Sequence, residues 1–176
     1  MMRALYLIRR YKLVVDMFYY GTPREFKPGK TYKVHGATGI FGQYEDFLDR
    51  YKPRSEVSRL RAFYLAIRKA TCSSYGNHIY LVEPIGNCSI CAFGWISIMI
   101  ALIPPICYKK ESGYVLPKLD RGALSLVKDL VQKYYTGRIP RKSDFANYGV
   151  NYAADNSEIK LIEVLTPEIR IVKKFE

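Results

Sequence analysis

A long stretch without charge is the feature that most constrains how this chain can fold. From Ser89 to Cys107 no side chain is charged, so these residues belong in a protein core or in a membrane. The stretch approaches the length that crosses a bilayer, but Gly94, Ser97 and the Pro104–Pro105 pair interrupt it. We therefore predict a buried helix, with membrane contact as the alternative. The apolar positions of this helix are Trp95, Ile98, Met99 and Leu102.

The whole chain, residues 1–176, is predicted to be one domain. Its 176 residues are enough to bury a core, and the hydrophobic fraction of 49% excludes a disordered protein. No repeat or shift of composition marks a second domain. Strand-like and helix-like segments alternate, but not as regular βαβ units, so we predict the α+β class.

Strands are predicted where β-branched and aromatic residues cluster. One covers Val14–Tyr20 and ends at Gly21, and a second covers His78–Pro84. Near the C-terminus, Ile159–Val172 predicts one or two strands, broken near Pro167 because proline cannot donate to a strand ladder.

Helical spacing of apolar residues predicts three further elements. Short and amphipathic helices are expected over residues 43–51 and Arg121–Tyr135. A third is expected over Val57–Thr71, with Ser58 as its cap and Arg59 on its outer, solvated side. The apolar positions of the third helix are Leu60, Phe63, Tyr64, Ala66, Ile67 and Ala70.

The net charge of +12 predicts an anionic partner. Nucleic acid, an acidic protein surface, an anionic membrane and a phosphorylated ligand all fit that charge. The first ten residues show no long apolar run and no small-residue cleavage site, so we expect no secretory signal and a cytoplasmic location. Four cysteines should then stay reduced. Cys88 and Cys91 have ligand spacing, but no second such pair exists and no metal site is predicted.

Three short segments, far apart in the chain, carry the functional signal. They are Phe18–Thr22, Arg54–Arg59 and Ile162–Leu165. Each also has a purely structural interpretation. The first reads as a strand followed by a turn, Ser58 as a helix cap, and Glu163 as a strand carboxylate that faces solvent.

In that order, the segments resemble the three ligand-holding strands of the ADP-ribosyltransferase fold, which splits NAD⁺ at its glycosidic bond. The first segment resembles the opening strand of the rifampin-modifying enzymes, where an aromatic-His-Gly-Thr sequence binds the adenosine side of NAD⁺. The likeness continues through Lys27-Pro28-Gly29 and Ile79–Gly86. Val57–Leu60 and Glu163-Val164-Leu165 resemble a neighbouring branch of the fold.

The resemblance implies a single domain of split, mixed or antiparallel sheets with packed helices. It also implies an NAD⁺-dependent mono-ADP-ribosyltransferase, with NAD⁺ as a substrate. Glu163 would be the catalytic carboxylate that stabilises positive charge on the ribose and positions the acceptor. Ser58 would bind a ribose hydroxyl, and Arg59 or Arg54 the pyrophosphate. The NAD⁺-contacting residues implied are Tyr19, Tyr20, Gly21, Thr22, Arg54, Ser58, Arg59 and Tyr64.

One departure from the family concerns Tyr20, which stands where the relatives carry histidine. Tyrosine can donate a hydrogen bond, but it is longer and lacks the ring nitrogen. An altered subtype and an inactive transferase scaffold used for partner binding both remain open.

The positive charge makes an acidic macromolecule the expected acceptor, either nucleic acid or a nucleic-acid-associated protein. Two non-enzymatic functions stay open beside the transferase. One is a basic nucleic-acid-binding module, suggested by the interleaved arginines and tyrosines of residues 54–68. The other is a membrane-associated or partner-embedded protein that uses the apolar run from Ser89 to Ile106.

Overall fold

The computed structural model describes residues 17–36, 43–72, 75–103, 108–110, 113–115, 119–152 and 161–175. The strands are β1 (Phe18–Thr22), β2 (Thr31–Lys33), β3 (Phe63–Ala66), β4 (His78–Pro84), β5 (Ser89–Ala92), β6 (Tyr108–Lys110), β7 (Gly113–Val115), β8 (Ile162–Thr166) and β9 (Glu168–Phe175). The helices are α1 (Gln43–Tyr51), α2 (Lys69–Cys72), α3 (Gly94–Leu102), α4 (Arg121–Tyr134) and α5 (Lys142–Asn147), and a 3₁₀ turn covers Arg59–Arg61.

Seven of these strands form one antiparallel sheet in the order β2-β9-β4-β1-β3-β8-β5, and β6 and β7 pair separately. The predicted α+β class is confirmed. The predicted split of the sheet is not observed among the described strands. The reason lies in β1, which pairs with β4 on one side and β3 on the other and so joins the two halves.

The two faces of the sheet carry different cores. On the first face, which we call the helix face, α1, α3, α4 and α5 pack around Trp95 and Leu130. The opposite face buries Leu65, Tyr80 and Val164, with aromatic residues from the segment between β1 and β2 packed against them. Successive side chains of a strand point to opposite faces, so each one packs either against the helices or into the core on the opposite face, which we call the second core.

Several predicted elements match the structure closely. Strand β4 covers the predicted His78–Pro84, α1 covers the predicted 43–51, and α4 ends one residue before the predicted limit. The C-terminal strands β8 and β9 are separated at Pro167, as expected. The predicted start of the first strand, residues 14–16, lies outside the described residues, and its described part extends to Thr22.

The uncharged stretch contains the buried helix predicted for it. Trp95, Ile98 and Met99 of α3 are fully buried and Leu102 is half-buried. The first residues of the stretch form β5 instead, because they pair with β8 at the edge of the sheet. No helix in the described part of the chain is long and apolar enough to cross a membrane.

The helix predicted over Val57–Thr71 is wrong. The segment forms the 3₁₀ turn, then β3, then the short α2. Strand β3 lies between β1 and β8, and pairing with both satisfies its backbone on each side. Long-range pairing therefore overrides a local helical pattern. Ser58 precedes the 3₁₀ turn without a side-chain cap bond, and Arg59, predicted to face solvent, is buried.

One row of six residues, one from each of six neighbouring strands, runs across the helix face and contains part of the site described below. Each residue is paired with the next one across the sheet, from β9 through β4, β1, β3 and β8 to β5. Residues paired across neighbouring antiparallel strands point to the same face. The row consists of Lys173, Leu81, Tyr19, Ala66, Glu163 and Cys91.

Gly21 allows α2 to lie directly on the sheet. A Cβ atom at this position would stand 2.2 Å from the Cys72 carbonyl oxygen. Only glycine fits so close to a neighbouring backbone. The tight approach at Gly21 therefore serves helix packing in this structure.

Gly21→Ala should destabilise the fold by about 1–3 kcal/mol, because the new methyl group overlaps backbone that cannot easily move. Urea unfolding measures this loss. Gly122→Ala in α4 is the control, since its Cβ would meet only the Asp120 side chain, at 3.3 Å. The control should change stability by less than about 1 kcal/mol. Equal effects would contradict the packing role given to Gly21.

Candidate functional site

A buried guanidinium lies at the centre of the candidate site. Arg59 is only 1% exposed. Its Nη2 donates to Glu163 Oε1 at 3.1 Å and its Nη1 donates to Glu45. Its Nε lies 3.1 Å from the Tyr134 hydroxyl oxygen. The 3₁₀ turn therefore directs Arg59 into the core, where α1, β8 and α4 supply its partners.

Glu163 is held by several donors at once. Besides Arg59 Nη2, the Tyr134 hydroxyl donates to Oε2 at 2.8 Å, and Arg59 Nε lies 3.4 Å from the same oxygen. The residue is 4% exposed. The alternative interpretation, a strand carboxylate that faces solvent, is wrong, because Arg59 and Tyr134 of α4 enclose the side chain. A carboxylate with charged and neutral donors on both oxygens has a fixed orientation.

Tyr64 packs over the same arginine. Its hydroxyl donates to the Arg59 backbone carbonyl at 2.7 Å, and Arg59 Cζ lies 4.5 Å from its ring centroid. This contact combines a hydrogen bond with a cation–π interaction. It fixes the 3₁₀ turn against β3.

The charges of this cluster explain its pKa shifts. Burial disfavours the charge of Arg59, but Glu163, Tyr134, Tyr64 and Glu45 outweigh burial and hold the pKa of Arg59 above its ordinary value. Burial, with Cys91 and Glu163 nearby, raises the pKa of Tyr134, which therefore remains a proton donor. Burial and Glu163 likewise raise the pKa of the Cys91 thiol, so Cys91 is no reactive thiolate.

A small cavity opens beside Glu163. Its volume is about 10 Å³, which is room for about one water molecule. Glu163 thus lies at the edge of a space that water can enter. The described residues that line the cavity are Tyr64, Leu65, Ala66, Thr71, Cys72, Tyr75, Leu161 and Glu163.

Three of the predicted site residues therefore meet in space, two of them from different sequence segments. Arg59 donates a hydrogen bond to Glu163, and the hydroxyl and ring of Tyr64 both contact Arg59. Tyr19 lies in the same cross-sheet row as Glu163, two strands away. Adjacent strands are about 4.8 Å apart, so the two backbones are separated by about 10 Å.

The other predicted residues lie elsewhere. Tyr20 faces the second core, where its ring packs edge-on against Phe63 at 5.3 Å between centroids, and burial raises its pKa. Thr22 is buried, and its hydroxyl accepts a hydrogen bond from the Arg24 backbone. Gly21 is covered by α2.

Arg54 and Ser58 are also separate from the Glu163 cavity. Arg54 is exposed, and no carboxylate of the described residues forms an ion pair with it. Ser58 lines a different groove, on the side of α1. The structure therefore does not bring Ser58 and Glu163 to one cavity.

Two members of the cluster were missed by sequence reasoning. Glu45 lies in the mixed-charge helix α1, and Tyr134 lies at the end of the amphipathic helix α4. Nothing local distinguishes Glu45 from the other carboxylates of the same helix, Asp46 and Asp49. Tyr134 occupies an apolar position of its helix, and a buried hydroxyl needs a polar partner. This position could have indicated a buried hydrogen bond, but it did not indicate Glu163 or Arg59 as the partner.

A second feature of the helix face is an aromatic ring surrounded by lysines. The Phe175 ring lies 4.5 Å from Lys69 Nζ, 5.5 Å from Lys173 Nζ and 5.8 Å from the Tyr19 ring centroid. No carboxylate of the described residues forms an ion pair with either lysine. We call Tyr19, Lys69, Lys173 and Phe175 the aromatic–lysine patch.

Comparisons with known proteins add no family to this description. No protein-family model matches the chain, and no curated protein is significantly similar to it.

Cys72, Cys88 and Cys91 are free thiols, and Cys107 lies outside the described residues. The described residues contain no group of three His, Cys, Asp or Glu side chains arranged to hold a metal ion.

Arg59→Leu should destabilise the protein by about 3–5 kcal/mol at neutral pH, because two carboxylates would remain buried without their cation. The loss should shrink as the pH falls to about 5. Uncompensated buried carboxylates have raised pKa values, so the folded variant binds more protons than the unfolded chain and gains stability at lower pH. Thermal or urea unfolding at the two pH values measures the effect.

Arg54→Leu is the matched control, because this arginine is exposed. Its effect should stay below about 0.5 kcal/mol at either pH. Similar losses for the two variants, or a loss at Arg59 that does not depend on pH, would contradict the ion cluster.

Proposed function

We propose that this protein is an NAD⁺-dependent mono-ADP-ribosyltransferase of the ADP-ribosyltransferase fold, and that Glu163 is its catalytic carboxylate. One observation carries the proposal. Arg59 and Glu163, selected from segments more than a hundred residues apart, form a hydrogen-bonded pair beside a cavity. Both residues were predicted from a resemblance of sequence segments alone. Their contact in the structure therefore supports the proposal independently of that resemblance.

The reaction requires a carboxylate with a fixed orientation. The bond between ribose C1′ and the nicotinamide nitrogen breaks, and its electron pair leaves with nicotinamide. Positive charge then develops on the sugar, as in glycoside cleavage. Glu163 would accept a hydrogen bond from a ribose hydroxyl and stabilise that charge. An acceptor oxygen or nitrogen then bonds to C1′ and loses its proton to Glu163 or solvent.

In this proposal, Arg59 positions Glu163 and leaves pyrophosphate binding to other residues. Its three nitrogens already contact Glu45, Tyr134 and Glu163, and it is buried. A donor that holds the carboxylate before the substrate arrives reduces the reorganisation needed in the transition state. Tyr134 acts in the same way through its hydroxyl.

NAD⁺ is far larger than the space now present beside Glu163. Binding therefore requires Thr71, Cys72 and Tyr75 to move away from the cavity that they line. Tyr75 is exposed, so its side chain can turn outward, whereas Cys72 is buried against Gly21 and NAD⁺ binding must break that contact. Tyr64, which lines the same cavity, is placed to contact the nicotinamide ring.

The net charge of +12 favours an acidic macromolecule as acceptor. Nucleic acid, or a protein bound to it, fits that charge best, because clustered phosphates attract a basic surface over a long range. The open aromatic–lysine patch lies on the same sheet face as Glu163, where an acceptor could approach it.

Glu163→Gln should lower the rate of nicotinamide release from NAD⁺ at least about 100-fold, because the neutral amide cannot stabilise the sugar cation. The amide keeps the shape of the side chain, and Arg59 retains Glu45, so the fold should persist. Release is followed with NAD⁺ labelled in the nicotinamide, and transfer with NAD⁺ labelled in the adenylate.

The control is Glu168→Gln, which removes a carboxylate that pairs with Lys33 at 3.5 Å on β9, away from the cavity. Its rate should equal that of the unmodified protein. Full activity in Glu163→Gln would reject the assignment of the catalytic carboxylate. Circular dichroism confirms that both variants are folded.

A second candidate function is nucleic-acid binding without catalysis, favoured by the aromatic–lysine patch. Aromatic rings flanked by cations can stack on bases while the lysines contact phosphates. Lys69→Gln with Lys173→Gln should then weaken binding to single-stranded DNA or RNA and lower its salt dependence by about two phosphate contacts. Fluorescence anisotropy across a salt series measures both quantities.

Lys128→Gln with Lys142→Gln is the matched control for that experiment, because these exposed lysines lie outside the patch and the double variant has the same net charge. A loss of binding that is equal in both double variants would show attraction to overall charge only. It would remove the patch as a binding site.

A further inference from the structure

A groove on the far side of Arg59 has the features of a separate ligand site. It lies between the chain that follows β2, the C-terminal end of α1 and the 3₁₀ turn. Its volume is about 700 Å³, within the range of roughly 300–1,000 Å³ typical of small-molecule sites. Its polar lining includes Asp49, Lys52, Ser58 and Arg61.

Two residues that line this groove each carry a buried polar atom without a hydrogen-bond partner in the described part of the chain. The atoms are Asp49 Oδ1 and the Ser58 hydroxyl oxygen. An unsatisfied buried polar atom costs about 1–3 kcal/mol, so such atoms are rare unless a ligand or water completes them. Because both residues line one groove, a polar occupant of that groove could pair with both side chains after a small rotation of each.

The buried ion cluster holds these two residues in place. Asp49 follows Glu45 by one helical turn of α1, and Ser58 immediately precedes Arg59. Because Glu45 and Arg59 are paired in the core, α1 and the 3₁₀ turn are fixed relative to each other. The groove is thus rigid along two of its walls, as a preorganised site requires.

The charge of the lining indicates what the occupant is. Lys52 and Arg61 are cationic, and no carboxylate of the described residues forms an ion pair with either. Asp49 supplies one carboxylate. A phosphate would pair with the two cations. A carboxylate oxygen requires a donor, which a sugar hydroxyl provides, and Ser58 can donate to or accept from a second hydroxyl.

We infer that this groove binds a phosphorylated sugar, with its phosphate on Lys52 and Arg61 and its hydroxyls on Asp49 and Ser58. The site is distinct from the Glu163 cavity, because no described residue lines both of them. It does not depend on NAD⁺ cleavage. In this inference Ser58 contacts a sugar outside the Glu163 cavity, whereas the resemblance implied a contact with the ribose of NAD⁺.

The probe is ribose 5-phosphate, titrated into the full chain by calorimetry or by NMR, with inorganic phosphate and ribose as separate probes. Saturable binding of ribose 5-phosphate below about 1 mM is expected, and binding of either fragment should be weaker. Asp49→Asn and Ser58→Ala should each weaken binding of ribose 5-phosphate about tenfold, since the first replaces a charged acceptor by a weaker neutral one and the second removes a hydrogen-bonding hydroxyl. Inorganic phosphate should bind Ser58→Ala as it binds the unmodified protein, and should bind Asp49→Asn at least as tightly, because a negative charge is removed from the groove.

Arg50→Gln is the matched control for Arg61→Gln. Both remove one exposed arginine, but only Arg61 lines the groove. Binding should fall with Arg61→Gln and stay unchanged with Arg50→Gln.

Three results would overturn the inference. The first is absence of binding to the unmodified protein, which would mean that solvent alone satisfies Asp49 and Ser58. The second is equal affinity for inorganic phosphate and ribose 5-phosphate, and the third is equal loss in the two arginine variants. Unfolding curves show whether a weakened variant is folded, and Asp49→Asn provides a second test should Ser58→Ala fail to fold.

Discussion

The buried pairing of Arg59 with Glu45 and Glu163 is the interaction on which the other features depend. It connects the 3₁₀ turn to α1 and β8, and Tyr134 adds α4. Placing these charges in a core carries a large desolvation cost, so such a cluster persists only when its members satisfy one another. The same contacts orient Glu163 toward its cavity and fix the walls of the groove that contains Asp49 and Ser58. One constraint thus shapes two candidate sites.

The sequence predicts the parts of this fold that local chemistry determines. Strand β4 is an apolar and aromatic run that ends at a proline, and α4 is an amphipathic helix that starts at a capping aspartate, so both were predictable. The segment Val57–Thr71 was not, because its apolar residues fit a helical period while β3 depends on pairing with distant β1 and β8. A pattern within a segment cannot reveal its partners.

The candidate site was predictable in some of its members but not in its environment. A resemblance identified Arg59 and Glu163, yet both were expected in contact with solvent, since charged residues are rarely buried. Their burial follows from contacts between segments that are far apart in sequence, including Glu45 and Tyr134, which carried no functional signal. Tyr20 is the opposite case. It belongs to the segment Phe18–Thr22, which resembles the family, but the alternation of side chains along β1 directs it to the core on the other face of the sheet, away from Glu163.

Whether Glu163 meets the nicotinamide ribose of NAD⁺ can be decided by a crystal structure of the chain with a non-hydrolysable NAD⁺ analogue. We expect a ribose hydroxyl within about 3 Å of a Glu163 carboxylate oxygen. We also expect Tyr75 to be displaced from the cavity and the Arg59–Glu163 hydrogen bond to be intact. An analogue bound away from Glu163, with the cavity unchanged, would reject this role for Glu163 and leave the ion cluster with a structural role only.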